Sequence, residues 1–293
     1  MSLSRFPKLL LPLGLMAAVL FLAACGSDDS DSTSDEGGDS TVALSDCTPD
    51  SLETVSGGKL TVATDDPAFE PYFVDNDPTN GEGFESAVAY AIADKLGYSA
   101  DDVEWTVVPF NSSYAPGPKD FDFDVNQISI TPDRASQVDF SAPYYTADQA
   151  VIVTGDSDFA DAASLADLAD AKFGVQIGTT SKDALEASVE PNEEPQVFDT
   201  SNDVVSALEN GQVDAIVVDT PTALFLTAVK IKDGSIVGEF AAPEGDEWGA
   251  LLQKDSPLTD CVSAAVEDLK SSGELDEIQQ KWINAGGGVA TLE

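Results

Sequence analysis

Residues 123–134 read FDVNQISITPDR, and this run changes from a strand pattern to a helix start within a few positions. Phe123 to Ile130 has apolar residues at 123, 125, 128 and 130 and leads into a Thr-Pro pair, and we predict a strand there. Thr131 is a favourable N-cap and Pro132 a favourable first helical residue, so a helix is expected to begin directly after the strand. The segment therefore predicts one strand-to-helix step of an α/β fold.

Strands and helices alternate on both sides of this segment. The predicted strands are 59–64, 103–108, 149–153, 173–177 and 213–218. The predicted helices are 85–96, 164–168, 182–189, 201–209, one opened by Pro221, and a tail over 258–283 that is broken at Gly273. Alternation of this kind predicts α/β layers with mostly parallel sheets, and two successive runs of it predict two lobes.

The N-terminus carries a targeting pattern. Arg5 and Lys8 precede an apolar run over residues 9–24, which ends in LAAC at positions 22–25. This ending resembles the bacterial lipobox, in which the cysteine is lipidated and becomes the mature N-terminus. We therefore expect residues 1–24 to be a lipoprotein signal peptide and Cys25 to anchor the chain to the extracytoplasmic face of the cell membrane.

A plain transmembrane anchor is the alternative for this run. It is shorter than the roughly 20 residues that a spanning helix needs, and Pro12 and Gly14 interrupt it. The following residues 25–45 are mainly Ser, Asp, Gly and Thr. Such a segment buries too little apolar surface to offset its ordering entropy, so we expect a disordered acidic tether.

The charge balance narrows the possible functions. The chain of 293 residues has 54 acidic residues, 13 basic residues and no histidine. Nucleic acid is not expected as a partner, because phosphate neutralisation needs Lys and Arg. The absence of histidine removes the commonest general base and the commonest zinc ligand, so neither a metal nor another cofactor is expected.

Cys47 and Cys261 remain once Cys25 is assigned to the lipid. In an oxidising compartment they are expected to form a disulfide between the start of the folded domain and its C-terminal helix. Two free thiols are the alternative. A pair so far apart in the chain makes no zinc motif.

Three predicted strand ends carry residues suited to binding. Arg134 falls in the first turn of a helix, where the macrodipole disfavours a cation, and its planar fork suits a carboxylate. Gly178-Thr179-Thr180-Ser181 leads into a helix N-terminus, which presents N–H groups to an anion. Asp219 directly follows a strand and suits an ammonium group. The alternatives are a surface salt bridge for Arg134, ordinary capping for the turn and an N-cap for Asp219.

Seven segments together resemble the family 3 extracellular solute-binding proteins, the polar amino-acid receptors of ABC importers. In chain order they are DDPAFEPY at 65–72, GFE at 83–85, ISITPDR at 128–134, VDFSAPYY at 138–145, QIGTT at 176–180, LENGQVDA at 208–215, and GEL at 273–275 with KW at 281–282. The resemblance covers about residues 58–283.

The resemblance implies a two-lobed fold of the type II periplasmic-binding-protein class, with a central cleft and two hinge crossings. Lobe 1 would comprise residues 46–146 and 242–293, and lobe 2 residues 147–241. The crossings would lie near residues 145–148 and 240–243.

The resemblance also implies roles at the zwitterionic end of an amino acid. Arg134 would hold the α-carboxylate, and the backbone at Thr179 and Thr180 would add N–H donors to it. Asp219 would accept the α-ammonium, helped by Ser129. A zwitterion taken from water needs both charges matched, or desolvation outweighs the gain.

The remaining implied positions surround the ligand side chain. Phe69 and Phe110 would cover it, and Asp66 would contact a basic or polar end. Gln127 occupies a position where many relatives have a small residue. Residues 111–122 contain two prolines and a glycine, which predicts a loop where relatives have an amphipathic helix.

The sequence thus predicts the binding lipoprotein of an ABC importer for a polar or basic amino acid. Asp66 and Glu85 both favour a basic or neutral polar ligand. The expected partners are this ligand, a permease with its ATPase, and the membrane through the lipid anchor, with the protein itself monomeric. Two alternatives are a ligand-binding sensory module and a small-molecule dehydratase on the same fold, although no nucleophile–base pair stands out for catalysis.

Overall fold

The computed structural model describes residues 42–243, 245–283 and 288–293. The expected signal peptide, Cys25 and most of the expected tether lie outside these ranges. Leu44–Asp46 already forms a short 3-10 helix, because Leu44 packs against a core that includes Cys47. Residues 44 and 45, which the sequence assigned to the tether, therefore have regular structure. No helix within the described ranges is both long and apolar enough to cross a bilayer.

The strands of the described chain form two five-stranded sheets. Their bounds are β1 (Leu60–Thr64), β2 (Val103–Val107), β3 (Phe123–Asp124), β4 (Asp139–Thr146), β5 (Gln149–Thr154), β6 (Phe173–Gln176), β7 (Gln196–Phe198), β8 (Ala215–Asp219), β9 (Gly234–Phe240) and β10 (Glu247–Leu252). The first sheet has the order β2-β1-β3-β10-β4, and the second has the order β7-β6-β8-β5-β9. We call the first sheet with its helices the first lobe, and the other sheet with its helices the second lobe.

Helices cover the sheets. Their bounds are α1 (Phe84–Lys95), α2 (Phe110–Ser113), α3 (Pro132–Ala135), α4 (Thr180–Ser188), α5 (Ser201–Glu209), α6 (Thr220–Phe225), α7 (Thr259–Ser272) and α8 (Glu274–Trp282). Gly273, which has a left-handed φ of 83°, separates α7 from α8. This agrees with the break predicted at Gly273 in the helical segment over residues 258–283. The predicted short helix over 164–168 is a 3-10 helix at Leu165–Leu168.

Each lobe has its own apolar core. In the first lobe, Phe84, Val88 and Ile92 lie on one face of α1 and pack with α7 against the sheet. In the second lobe, side chains of β5 alternate between two buried clusters, so both faces of the sheet are covered. Burial of this apolar surface is the main stabilising contribution to each lobe.

The sheets are mixed, which corrects the expectation of mostly parallel pairing. β10 runs antiparallel to β3 and β4, and β5 runs antiparallel to β8 and β9. Parallel neighbours need a crossover connection, usually a helix. β5 and β10 instead enter their sheets directly from the other lobe. The alternation of strands and helices along the sequence does not indicate these direct connections, so it could not predict the antiparallel pairs.

The predicted strand over residues 123–130 is also shorter than expected. β3 ends at Asp124, and Gln127 then adopts a left-handed φ of 49°, which takes the backbone out of the extended conformation. Ser129 returns to the sheet through an isolated bridge to Trp248. The helix predicted after Pro132 is present as α3, with the Thr131 side chain accepting from the Arg134 N–H.

The chain passes between the sheets at the two predicted places. The first crossing joins β4 to β5, and the second joins β9 to β10. The two crossings touch, because the Ala147 N–H donates to the Asp246 carbonyl over 2.8 Å.

The C-terminal residues return to the second lobe. Thr291 forms a parallel bridge with Glu239, and Leu292 is buried in the second lobe's core. The expectation that residues 242–293 all belong to the first lobe therefore fails for this end. The reason is that Leu292 packs against apolar side chains of the second lobe. The few residues at this end of the chain do not specify which lobe they will contact.

A disulfide joins Cys47 to Cys261 in α7, with the two Cα atoms 5.6 Å apart. Both cysteines are buried. The bond ties the start of the ordered chain to a helix of the first lobe, as expected, and closes a long loop.

Loss of this disulfide is expected to destabilise the protein. Replacing both cysteines by alanine should lower the free energy of unfolding by about 2–5 kcal/mol, because the cross-link restricts the unfolded chain. Denaturant unfolding monitored by circular dichroism measures the difference. Reductant should lower the midpoint of the wild type and leave that of the double variant unchanged. Equal midpoints for both proteins would mean that the bond contributes nothing to stability.

Candidate functional site

A cavity of about 390 Å³ lies between the two lobes. It is lined from positions just past the carboxyl ends of β1, β6 and β8, the place where ligands bind in open α/β sheets. All of the predicted ligand-binding residues line it, namely Asp66, Phe69, Phe110, Gln127, Ser129, Arg134, Thr179, Thr180 and Asp219. The fold therefore brings together residues that are far apart in the sequence.

Arg134 is only 7% exposed and bridges the two lobes. Nη1 donates to the Ser129 carbonyl in the first lobe, and Nη2 donates to the Gly178 carbonyl in the second, each over 2.8 Å. The guanidinium carbon lies 5.5 Å from the centre of the Phe110 ring and 4.8 Å from that of Tyr114. These contacts hold the guanidinium plane in one orientation at the cavity wall.

The charge of Arg134 has no ion-pair partner among the described residues. A surface salt bridge, the alternative for this residue, is therefore not what the structure shows. Burial lowers the pKa of Arg134 from its ordinary value, but an arginine remains protonated at neutral pH. Two of its five N–H groups are used, which leaves donors at the cavity wall for a planar anion such as a carboxylate.

The N-terminus of α4 adjoins Arg134. The Thr179 hydroxyl donates to the Gln176 carbonyl over 2.9 Å, and the Thr180 hydroxyl donates to Asp246 over 2.9 Å. Thr179 is the N-cap, and its side chain makes no capping hydrogen bond to the helix. The hydroxyls are thus engaged elsewhere, and the first N–H groups of α4 remain available to an anion in the cavity.

Asp219 ends β8 on the opposite side of the cavity and faces it. Oδ1 accepts from Gln149 Nε2 over 2.6 Å. Burial raises the pKa of Asp219 well above its ordinary value, and the neighbouring Asp246 carboxylate adds to the rise. A cationic group in the cavity would stabilise the ionised form. Asp219 also precedes Pro221 at the N-terminus of α6, but its side chain makes no capping hydrogen bond there.

Aromatic and acidic side chains line another part of the cavity. Phe69 and Phe110 supply apolar surface, and Phe110 also contacts Arg134. The Asp66 carboxylate accepts from the Asn76 amide over 3.3 Å. Phe110 begins α2, which lasts for four residues only, so the segment after it is a loop, as predicted from its prolines and glycine.

Glu85 does not line the cavity, which corrects its predicted influence on the ligand. It is fully buried and accepts hydrogen bonds from the Tyr144 hydroxyl and from the backbone and side chain of Gln127. Burial raises the pKa of Glu85 to about 7. Gln127 borders the cavity, and its bonds to Glu85 hold it in place there with its side-chain carbonyl oxygen and one amide hydrogen left unused.

Sequence reasoning missed Gln149 and Asp246. Gln149 lies in the first crossing and Asp246 in the second, and both are buried. Gln149 Nε2 donates to Asp219 and also to Asp246 Oδ2, over 2.6 Å and 2.8 Å. Asp246 is one of many acidic residues in the chain, and no local sequence pattern marks it as functional. Its role is indicated only by its place where the two crossings meet.

The two lobes are in direct contact around the cavity. Besides the Arg134–Gly178 bond, the hydroxyls of Ser129 and Thr180 are 3.2 Å apart, and those of Tyr72 and Thr222 are 2.8 Å apart. Gly178 has a left-handed φ of 76°, and a Cβ there would collide with side chains of the first lobe. The structure is therefore a closed arrangement of the lobes.

This combination of two lobes, a closed cavity and opposite charges on its walls agrees with what the sequence motifs imply. Residues 60–285 match the family described as bacterial extracellular solute-binding proteins, family 3. The chain belongs to this family.

Curated relatives cover most of this solute-binding protein. The arginine-binding extracellular protein ArtP of Bacillus subtilis is 29% identical over 249 residues, which is 83% of this chain and 93% of ArtP. The glutamine-binding protein GlnH of the same organism is 29% identical over 91% of this chain and 93% of its own.

Solved structures of related solute-binding proteins share the fold. An ancestral arginine-binding protein bound to arginine is 34% identical, with a TM-score of 0.63 over 76% of this chain and 97% of its own. ArtJ of Geobacillus stearothermophilus, a protein that binds arginine, lysine and histidine, is 26% identical, with a TM-score of 0.64 over 78% of this chain and 96% of its own.

The cavity of this solute-binding protein is predominantly acidic. Arg134 is the single basic residue among its described lining residues, whereas the acidic ones are Asp65, Asp66, Glu70, Asp199 and Asp219. Within the described ranges, no group of three or more acidic, histidine or cysteine side chains is arranged to hold a metal ion.

Proposed function

We propose that this protein is the lipid-anchored, extracytoplasmic binding component of an ABC importer, and that it captures a polar or basic amino acid by lobe closure. The observation that carries the proposal is that Arg134 and Asp219, which have side chains of opposite charge type, line the same closed cavity. In this proposal the protein delivers its ligand to a permease driven by an ATPase, and it acts as a monomer.

The two charges suit the two ends of an α-amino acid. Arg134 and the N-terminus of α4 receive the α-carboxylate, and Asp219 receives the α-ammonium. Both ligand charges leave water on binding, so each needs a charged partner to offset the cost of desolvation. Neither lobe supplies the whole set, and therefore the ligand favours the closed form over an open one.

The walls around the side chain favour a positive or neutral polar ligand. Phe69 and Phe110 give an apolar surface against which the carbon chain packs. Asp66, Glu70 and Asp199 would stabilise a cationic end, whereas an acidic side chain would meet only like charges. Relatives whose names state arginine, glutamine, cystine or histidine as the ligand share the same amino-acid head group.

The lipid anchor rests on the LAAC sequence at residues 22–25. A protein tethered there stays near the permease on the outer side of the membrane. Mass spectrometry of the membrane-extracted protein tests this: the expected N-terminus is a diacylglyceryl-modified Cys25. Recovery of an unmodified chain that still begins at Met1 would contradict the anchor.

Catalysis is not part of the proposal. One structural relative is described as an ancestral amino-acid-binding protein that is a precursor of cyclohexadienyl dehydratase. This chain has no histidine, and the carboxylates on its cavity wall are placed for charge pairing. Incubation with the bound amino acid, followed by chromatography, should return the compound unchanged.

A thermal-shift screen against the twenty amino acids tests the binding function. A ligand at a hundredfold excess over its dissociation constant stabilises the folded state by about 2.7 kcal/mol. For a protein of this size that raises the unfolding midpoint by several degrees, at roughly 2–4 °C per kcal/mol. We expect the largest shift from a basic or polar amino acid. A flat response to all twenty would overturn the proposal.

A further inference from the structure

Asp246 occupies the point where the two lobes and both crossings meet. Its side chain is 1% exposed. Oδ2 accepts from Gln149 in the first crossing over 2.8 Å and from the Thr180 hydroxyl in the second lobe over 2.9 Å. Gln149 in turn donates to Asp219, so a single amide joins the two carboxylates.

Two acceptor atoms in this cluster are buried without a donor. They are Asp246 Oδ1 and Gln149 Oε1. Both hydrogens of the Gln149 amide are already donated, one to each carboxylate. Reversing the amide would not help, because its oxygen would then face two acceptors. Unpaired buried acceptors are rare and costly, so their occurrence on two directly bonded side chains needs an explanation.

One proton satisfies both atoms. A protonated Asp246 would have a hydroxyl at Oδ1 able to donate to Gln149 Oε1, while Gln149 Nε2 donates to Oδ2 over 2.8 Å. The result is a cyclic pair of a carboxylic acid and a primary amide, with two antiparallel hydrogen bonds. The proton also neutralises Asp246, so that Asp219 and Asp246 are not two negative charges held close together in a buried site.

We infer that Asp246 is a positioning residue of the ligand site, which carries the one proton shared by the two carboxylates and thereby leaves Asp219 ionised to receive an ammonium group. This inference rests on the proposed function for its second part only. The proton on Asp246 is inferred from the two acceptors that lack a donor, and this part of the inference does not depend on which ligand binds.

The surroundings are consistent with a neutral Asp246. Burial raises the pKa of Asp246, and the Ser129 hydroxyl, the Thr180 hydroxyl, the charge of Arg134 and the Gln149 amide oppose the rise. The Ser129 hydroxyl lies 3.2 Å from that of Thr180, and Asp246 Oδ1 receives a hydrogen bond from neither. Burial raises the pKa of Asp219 well above its ordinary value, so the assignment of the proton to Asp246 rests on the two acceptors without a donor and not on these pKa shifts. The other titratable groups that influence this cluster through Asp219 or Arg134 are Glu85, Tyr72, Tyr145, Tyr114 and Asp183.

These neighbours do not supply the missing donor. Arg134 donates to two carbonyl groups, and Tyr72 pairs with Thr222. Burial raises the pKa of Tyr145 to about 12, so Tyr145 keeps its hydroxyl proton, but Asp246 Oδ1 and Gln149 Oε1 receive no hydrogen bond from it. Burial raises the pKa of Glu85 to about 7, but the hydrogen bonds of this carboxyl are made with Tyr144 and Gln127 and not with Asp246 or Gln149.

The first test uses the ligand-free protein. An aspartate whose pKa is raised by folding binds more protons in the folded state than in the unfolded state, so the stability that it contributes falls as pH rises from the ordinary aspartate range through the folded pKa. Asp246→Asn mimics the protonated acid and removes this dependence. We expect the wild-type unfolding midpoint, measured from about pH 5 to about pH 8, to fall relative to that of D246N.

The exposed Asp158→Asn is the matched control for the loss of one negative charge. It should follow the wild type at every pH. If D246N instead keeps the wild-type pH dependence, Asp246 is ionised in the folded protein and the inference is wrong.

The second test measures binding of L-arginine and, separately, L-glutamine by calorimetry. Asp246→Ala removes the pair and should weaken binding at least tenfold, about 1.4 kcal/mol. D246N keeps two hydrogen bonds to Gln149 and should recover most of that loss. Above the pKa of Asp246, wild-type affinity should fall relative to D246N, because the bound form needs the proton.

The outcomes separate the two proposals. If D246N binds as poorly as D246A, the neutral pair is not what positions Asp219, and the inference fails while the proposed function stands. If the wild type binds neither amino acid, the proposed ligand class fails, and the ligand-free measurement alone decides whether Asp246 carries the proton.

Discussion

Replacement of Arg134 by alanine is expected to abolish measurable binding of every amino acid. The chain has two arginines, Arg5 and Arg134, so no second guanidinium is available to the cavity. Removing one partner of a buried charge pair costs about 3–5 kcal/mol, because the other charge is left desolvated. This corresponds to a dissociation constant roughly 150- to 5,000-fold higher. Calorimetric titration with the amino acid that gives the largest thermal shift measures the loss.

Two controls identify the cause of that loss. Arg134→Lys keeps the charge but lacks the planar fork, so it should bind more tightly than R134A and more weakly than the wild type. Circular dichroism of R134A should show a folded protein, because the core clusters of both lobes do not include Arg134. Undiminished binding by a folded R134A would show that the carboxylate is held elsewhere.

Replacement of Asp219 by asparagine is expected to discriminate between ligands with and without an α-ammonium group. Asparagine retains an acceptor for Gln149 but loses the negative charge. Truncating one side of a buried hydrogen-bonded charge pair costs about 2–5 kcal/mol, so the affinity for the amino acid should fall roughly 30- to 5,000-fold. The same compound without its amino group should lose little or no affinity.

The deaminated compound serves as the internal control for this variant. It keeps the carboxylate and the side chain, so its binding reports on Arg134 and the aromatic wall alone. The affinity ratio of the two ligands in wild type and variant forms a double-mutant cycle that isolates the ammonium contact. An equal loss for both ligands would assign Asp219 a structural role instead.

Short-range patterns predicted much of the fold. The helix α5 and the break at Gly273 were located to the residue, because apolar periodicity and glycine act within one or two helical turns. Strands β4, β7, β9 and β10 were not predicted. β4 and β9 each lead into a crossing, and β10 follows the second one. Apolar periodicity does not indicate which of the two sheets a strand joins.

The candidate site shows the same division. Arg134, Thr180 and Asp219 were recognisable because each follows a predicted strand and because the surrounding motifs resemble those of a family. Glu85 was wrongly given an influence on the ligand, since its position in the first turn of α1 does not reveal that its side chain is buried in the first lobe. Asp246 and Gln149 were missed, since neither belongs to a motif that marks it as functional.

The amino-acid sequence alone was sufficient for the α/β class, the family and nine of the residues that line the cavity, and it favoured a Cys47–Cys261 disulfide over two free thiols. These follow from local periodicity, residue chemistry and ordered motifs, all of which are properties of contiguous segments. The mixed sheets, the return of Leu292 to the second lobe and the Asp219–Gln149–Asp246 cluster depended on the tertiary structure. They arise from contacts between segments that are distant along the chain, and their free energy depends on burial and pairing that exist only once both lobes and both crossings have come together.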